Sequence, residues 1–142
     1  MIAGSGALEP DLRQAADRSH VRLHLLGFRN QTEMPAAYSA ADCLVLPSDG
    51  RETWGLVANE ALACGRPIIV SSACGCAPDL AGDGNVGRTF PVGNPEALAD
   101  AIGGLIASPP SATAIAALSG AHSIEAAVAG IRSAAERVAA TQ

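Results

Sequence analysis

Lysine is absent from this chain of 142 residues, so all nine basic side chains are arginines, and fourteen acidic residues outnumber them. The formal net charge of −5 excludes a general affinity for nucleic acid or for an anionic membrane surface. The sequence also has no apolar run near membrane-spanning length, and no N-terminal basic region leads into an apolar one. We therefore expect no membrane span, no signal peptide and a cytoplasmic location.

Charged residues are scarce as well, at 16% of the chain against 49% apolar residues, which excludes a disordered protein. A chain of this length is large enough for one domain with a core of its own. Because Pro109 and Pro110 interrupt the chain, we divide the single domain into a core at 1–108 and a C-terminal helical tail at 109–142.

The few cysteines and histidines do not form a recognisable metal motif. The four cysteines are Cys43, Cys64, Cys74 and Cys76. The spacing of Cys74 and Cys76, with one residue between them, matches no common zinc pair. We therefore interpret the cysteines as core or loop thiols and expect no metal site.

The stretch from Cys43 to Pro67 carries the strongest local signals. Residues 43–46 form a short apolar run typical of a buried parallel strand, and a polar loop at 47–53 follows it. Residues 56–64 favour a helix, which Gly65 is expected to end in a left-handed conformation before Pro67. The loop is therefore predicted at the carboxyl end of a strand, where open α/β sheets bind ligands.

The start of this helix has the chemistry of an anion site. Gly55 lacks a side chain, so we expect a ligand to approach the unbonded N–H groups of the first turn, where a phosphate is favoured. Glu60, roughly 6–8 Å farther along the axis, is placed to accept hydrogen bonds from a ribose, and Glu52 to face whatever lies beyond the phosphates. The alternative is a solvated helix glutamate and a loop glutamate near Arg51. Local positive charge for the phosphates is expected from Arg29, Arg51 and Arg66.

Short strands and helices alternate along the rest of the chain, as in an α/β domain with a parallel sheet. Strands are expected at 1–3, 21–25, 68–70 and 87–90, and helices after Gly6, at 33–40, from Pro95 and at 123–139. Residues 71–84 are expected to form a long loop. Thr32 and Asn94 are the predicted caps of their helices. Two apolar faces are expected to be buried, formed by Leu12, Ala15 and Ala16 and by Ile124, Val128, Ile131 and Val138.

Glu52 and Glu60 lie eight residues apart, span Gly-Leu-Val and lead into Glu-Ala-Leu-Ala-Cys-Gly-Arg-Pro. This pattern resembles the E-x7-E signature of retaining glycosyltransferase family 4, whose members are two-domain enzymes of the GT-B architecture. Five further stretches resemble landmarks of that family in the right order, at 21–28, 38–42, 46–48, 74–80 and 90–95. The resemblance covers residues from Gly4 to about Leu105.

The resemblance implies a Rossmann-like donor-binding domain, the C-terminal half of such an enzyme, which holds a nucleoside-diphosphate sugar. Glu52 would be the catalytic residue that orients the sugar, and Glu60 would bind the ribose. Gly4 and Gly6 would border the donor pocket, and Phe28 and Arg29 would hold the base. The backbone that stabilises the leaving diphosphate would come from Thr53, Trp54, Gly55, Leu56 and Val57, without a metal.

The chain departs from the family pattern at its beginning. An acceptor-binding domain and the first strand and helix of the donor domain do not precede Met1, so we expect an interruption in the sheet next to the site. A fragment of a longer protein, a truncated gene and one half of a split enzyme are all consistent with this pattern. We expect either a rearranged sheet or self-association through unpaired strand edges. The acceptor-binding domain is expected from the missing part of the protein or from a partner chain. The sugar, the base and the acceptor are not identified.

Two other functions remain open at this point. Paired carboxylates also serve glycosidases, which place them roughly 5–10 Å apart across one bond. The chain could equally be a non-catalytic nucleotide-binding or interaction remnant of a glycosyltransferase.

Overall fold

A computed structural model describes residues 1–141. Strands and helices alternate over most of this range, and two further helices follow at its C-terminal end. The strands are β1 (Ile2–Ala3), β2 (Leu25–Gly27), β3 (Leu44–Leu46), β4 (Ile68–Ser71) and β5 (Gly87–Phe90). The helices are α1 (Glu9–Arg18), α2 (Met34–Ser39), α3 (Leu56–Ala63), α4 (Ala77–Ala81), α5 (Pro95–Ala107), α6 (Ala112–Ala121) and α7 (Ile124–Ala140).

The strands form two parallel sheets, one of β1 and β2 and one in the order β3-β4-β5. In the larger sheet Leu44 lies opposite Ile68, which in turn lies opposite Gly87. Within residues 1–141 no strand ladder joins the two sheets. The predicted parallel α/β architecture is therefore present, and it carries the interruption that we expected between β1 and β3.

The core occupies both faces of the larger sheet because side chains along a strand point alternately to opposite sides. Ile68 and Val70 pack in one cluster with residues of α2, α3, α4 and α6. Ile69 packs in a second cluster with Phe90 and with Leu105 of α5. All four residues of β4 are buried, which explains the apolar run at 68–70. Ser71, the fourth, donates its hydroxyl to the carbonyl of Ser48.

Several local predictions are confirmed. The helix that starts at Leu56 ends at Ala63, and Gly65 adopts a left-handed φ of 72°. The strand at 87–90 has the expected bounds. Asn94 caps α5 by accepting a hydrogen bond from the N–H of Ala97 at 2.9 Å.

The N-terminal segment differs from its prediction in three ways. The face of α1 that was expected to be buried is not, and Leu12 is 39% exposed, because the small sheet offers little apolar surface. Strand β2 begins only at Leu25, since its partner β1 has two residues with which to pair. Thr32 does not cap α2. Instead, the side-chain oxygen of Asn30 accepts hydrogen bonds from the N–H groups of Thr32 and Glu33.

One helix was not predicted, and a second was expected only as an undefined part of the helical tail at 109–142. The expected loop at 71–84 contains α4, which packs against β4 and β5 by burying Ala77, Leu80 and Ala81. Helix α6 follows the Pro109-Pro110 break and packs on α3 through Ile115. Ser111 begins α6 by accepting a hydrogen bond from the N–H of Ala114. In both cases a short segment becomes helical because the sheet or α3 offers an apolar surface to cover.

The last helix, α7, has no buried residue, so the prediction that its apolar face packs on the domain was wrong. Its large apolar side chains Ile124, Val128, Ile131 and Val138 are all at least 59% exposed. The segment 112–140 is also long and apolar enough, by length and composition alone, to cross a membrane. That finding corrects the statement that no apolar run approaches this length, although Ser123 separates α6 from α7 by capping α7.

Candidate functional site

The start of α3 lies just beyond β3, as the sequence predicts. Gly55 is the N-cap residue, with a left-handed φ of 98°, and its carbonyl accepts the N–H of Ala58 at 2.8 Å. Within residues 1–141 no side chain caps this helix end. Because the first N–H groups of a helix have no intrahelical acceptor, those of Leu56 and Val57 are available to an anionic ligand.

The structure gives two reasons for a glycine at position 55. Gly55 is buried, and a Cβ atom there would lie 2.8 Å from Cδ2 of Leu46 and 3.4 Å from the sulfur of Cys76. The positive φ and this close packing both favour glycine, and the approach of a ligand to its bare backbone stays a prediction.

A second turn holds this loop from the other side. The N–H of Cys76 donates to the carbonyl of Trp54 at 2.9 Å. A Cβ at Gly75 would lie 1.9 Å from the carbonyl oxygen of Thr53. The turns after β3 and β4 are thus in direct backbone contact, which defines the conformation of the segment leading into α3.

Glu60 lies on an exposed part of α3, and its carboxylate accepts a hydrogen bond of 2.7 Å from the hydroxyl of Tyr38. Tyr38 is only 5% exposed and belongs to the core. Burial, and then the bond to Glu60, raise the pKa of Tyr38 well above its usual range, so the phenol stays neutral and donates. The Glu60 side chain is therefore held in place before any ligand arrives.

This role of Tyr38 was not predicted from the sequence, in which Tyr38 is only part of the family resemblance at 38–42. Tyr38 and Glu60 are 22 residues apart and lie on different helices, α2 and α3. No periodicity within either helix indicates such a pair, because it depends on how the helices pack.

Glu52 lies in the loop before α3 and is half-buried. Its Cγ atom would be 3.5 Å from a Cβ on Gly55, so the side chain folds over the turn that begins the helix.

Burial, more than the nearby charges of Cys74 and Glu52, raises the pKa of the Cys76 thiol. This thiol is therefore protonated at neutral pH and is a poor nucleophile.

The other predicted donor-binding residues lie in the smaller sheet and its loops. Gly4 has a φ of 126°, and its N–H already donates to the carbonyl of Gly27 at 2.8 Å. The carbonyl of Gly6 accepts the N–H of Glu9 at 3.2 Å. Phe28 follows β2 and is 81% exposed. Throughout 1–141, no hydrogen bond connects these residues to the segment 52–60.

The three arginines expected to supply positive charge differ in their surroundings. Arg29 pairs with Glu33 at 3.4 Å, and Arg51 pairs with Asp49 at 2.6 Å. The guanidinium of Arg51 lowers the pKa of the Asp49 carboxyl. Arg66 follows the C-terminal end of α3, roughly 12 Å from its start along the helix, and its role at the phosphates stays a prediction.

The remaining sequence-predicted features concern metals and cavities. The four cysteines are free thiols, and over 1–141 no group of three or more His, Cys, Asp or Glu side chains is assembled to hold a metal ion. Two shallow surface depressions lie along 6–13 and 124–132, and neither includes Glu52 or Glu60.

Parallel sheets with flanking helices define a Rossmann-like α/β domain, and an uncapped helix N-terminus follows one of its strands. The chain belongs to the family of group 1 glycosyl transferases, whose family model matches residues 1–108. Membership of this family favours group transfer over the hydrolysis that a glycosidase would perform.

Curated relatives include two enzymes that act on inositol compounds according to their names. The chain is 35% identical over 106 residues to the phosphatidyl-myo-inositol mannosyltransferase of Mycobacterium leprae, covering 75% of this chain and 28% of that protein. It is 34% identical over 137 residues to the D-inositol 3-phosphate glycosyltransferase of Mycolicibacterium gilvum, covering 90% of this chain and 30% of the relative. The chain therefore spans less than a third of their length.

Solved structures with a similar fold are glycosyltransferases of the GT-B architecture. The sucrose-phosphate synthase of Thermosynechococcus elongatus superposes with a TM-score of 0.75 and 25% identity, over 98% of this chain and 38% of the synthase. Anabaena HepE, solved in complex with UDP, superposes with a TM-score of 0.66 and 27% identity, over 78% of this chain and 30% of HepE.

Proposed function

We propose that this chain supplies the donor site of a retaining glycosyltransferase, in which the start of α3 binds a nucleoside-diphosphate sugar. The observation that carries the proposal is the pair formed by an uncapped helix N-terminus and a carboxylate, Glu60, that Tyr38 holds about one turn farther along. Helix N–H groups and dipole favour a phosphate, and a fixed carboxylate accepts hydrogen bonds from vicinal ribose hydroxyls.

In this proposal the segment from Thr53 to Val57 stabilises the negative charge that develops on the leaving diphosphate. No metal is needed for that step, since the helix N-terminus provides positive potential. Glu52, beyond the phosphate end of α3, orients the sugar for transfer. Catalysis requires an acceptor-binding surface in addition to the donor site, and a GT-B acceptor domain or a partner chain would provide it.

The smaller sheet supplies the nucleotide end of the site in this proposal. Phe28, with its exposed ring, packs against the base, and Arg29 lies beside it. Gly4 and Gly6 border the pocket through their backbone. The neighbour that contains UDP supports uracil as the first base to test.

The decisive experiment is thermal denaturation of the purified chain in the presence of UDP-, GDP- and ADP-sugars. A ligand that binds only the folded state stabilises it and so raises the melting temperature. At a ligand concentration one hundred times the Kd, the free energy of unfolding rises by about 2.7 kcal/mol. We expect one nucleotide to produce a rise that Glu60→Ala abolishes. Glu136→Ala is the matched control, because Glu136 is also an exposed helix glutamate but lies on α7. No rise with any nucleotide would refute the donor-site proposal.

Single-turnover transfer of a labelled sugar to an acceptor distinguishes a catalytic donor site from one that only binds the nucleotide. Transfer that is lost in Glu52→Gln, with nucleotide affinity retained, would support the catalytic role. Binding without transfer, even with an added acceptor domain from a relative, would leave a nucleotide-binding module.

A further inference from the structure

A chain of two hydrogen bonds connects the loop before α3 with the C-terminal helices. The indole N–H of Trp54 donates to the side-chain oxygen of Asn59 at 2.8 Å. The side-chain nitrogen of Asn59 donates in turn to the backbone carbonyl of His122 at 3.2 Å. Residues 59 and 122 are 63 positions apart, so this connection depends on the packing of α6 on α3.

Both ends of this connection are fixed by other contacts. Trp54 packs against the core cluster, and its carbonyl accepts the N–H of Cys76. His122 ends α6, and its ring nitrogen lies 3.1 Å from the carbonyl of Leu118. Asn59 therefore joins two ordered parts of the fold, the loop that begins α3 and the junction between α6 and α7.

The chemistry of this position requires a side chain that both accepts and donates a hydrogen bond. The indole N–H only donates and the backbone carbonyl only accepts, so the side chain between them must accept at one end and donate at the other. Asparagine meets both needs in one orientation of its amide group. A carboxylate of the same shape would accept from Trp54 but have nothing to donate, and leucine would do neither.

We propose that Asn59 is a positioning residue that holds Trp54, and with it the turn from Thr53 to Gly55, in the geometry that presents the first N–H groups of α3 to the donor phosphates. The inference rests on the proposed donor site and deepens it, because it makes the α6–α7 junction a structural part of that site. Glu60 lies next in sequence but acts on the ligand directly, whereas Asn59 acts through the loop.

Trp54 is the one tryptophan of the chain, so its fluorescence reports this contact directly. In Asn59→Leu the indole loses its acceptor, and we expect a shifted emission maximum and stronger quenching by acrylamide. We also expect the Kd for UDP, measured by calorimetry on the full chain, to rise about three- to tenfold, because of the two lost hydrogen bonds only the one to Trp54 holds the loop at the phosphate end. The melting temperature without nucleotide should change by only a few degrees.

Asn59→Asp is the second variant and separates the two bonds. A carboxylate still accepts the indole proton, so emission should match the wild type, while the melting temperature falls because the His122 carbonyl loses its donor. His122→Ala is the matched control, since the bond from Asn59 ends on the backbone and survives, and both emission and Kd should stay unchanged.

Three results would overturn the inference. The first is that Asn59→Leu has the emission maximum or the Kd of the wild type. The second is that Asn59→Asp has the emission maximum of Asn59→Leu. The third is that His122→Ala weakens UDP binding as much as Asn59→Leu does. If the wild type binds none of UDP, GDP and ADP, the donor-site proposal fails and the role of Asn59 in that site fails with it. The emission of the two Asn59 variants still shows in that case whether the contact exists.

Discussion

The hydrogen bond between Tyr38 and Glu60 leads to the most direct prediction. Tyr38→Phe removes one oxygen atom and leaves the ring, which is 5% exposed, in its place in the core. A hydrogen bond to a charged group contributes about 1.5–3 kcal/mol to stability, but Glu60 is exposed to solvent, so we expect about 1 kcal/mol. For a chain of this size that loss lowers the melting temperature by roughly 3–5 °C.

A double-mutant cycle isolates this contact from other effects of the substitutions. Tyr38→Phe, Glu60→Ala and the double variant are unfolded in urea, and the free energies of unfolding are compared with the wild type. We expect a coupling free energy of about 1 kcal/mol. A coupling near zero would refute the argument that Tyr38 holds Glu60.

The same substitution bears on ligand binding. Without Tyr38 to orient it, the Glu60 side chain must be ordered by the ligand, at a cost of up to about 2 kcal/mol. We expect the Kd for the nucleotide that binds, measured by calorimetry, to rise about three- to tenfold in Tyr38→Phe. If Tyr38→Phe binds the nucleotide with the Kd of the wild type although the cycle gives the expected coupling, Glu60 does not contact the ribose.

Three further predictions concern stability. Gly55→Ala should lower the free energy of unfolding by about 2–4 kcal/mol, because it adds a clash with Leu46 to the cost of a left-handed φ, whereas Gly65→Ala, where a Cβ meets open space, should cost only about 1–2 kcal/mol. Equal losses in urea melts would contradict the packing argument. Ile131→Ala should change stability by less than about 0.5 kcal/mol, because Ile131 is 72% exposed, so a large loss would show that α7 has a buried face. The pKa of Tyr38 is raised on folding, so its contribution to the free energy of unfolding is complete below the unfolded pKa of about 10 and falls above it, by up to about 1.4 kcal/mol per pH unit. The difference in free energy of unfolding between wild type and Tyr38→Phe should therefore shrink above pH 10. A difference that stays constant with pH would contradict the assigned cause.

Local signals account for the parts of the fold that were predicted well. The apolar run at 68–70, the left-handed glycine at 65 and the asparagine cap at 94 each specify structure through neighbours within a few residues. The position of the site at the end of β3 follows from the same signals, since a strand, a polar loop and a helix succeed one another. The family resemblance was confirmed by residues 1–108.

Errors occurred where an element depends on what it packs against. Helix α4 was expected to be a loop, and it forms because β4 and β5 provide an apolar surface for Leu80. Helices α1 and α7 have amphipathic sequences, yet the described structure offers neither of them a surface to cover. Periodicity identifies an apolar face but does not show whether a partner exists for it.

The sequence by itself determined the α/β class, the order of most elements, the place of the Glu52–Glu60 segment and the family. These properties depend on local propensity and on motifs read in register along the chain. Only the tertiary structure decided that Gly55 is required by Leu46, that Tyr38 holds Glu60 and that Asn59 links Trp54 to the α6–α7 junction. Each of these contacts joins residues from different parts of the chain's fold, and its existence depends on distances that are set when the helices pack on the sheet.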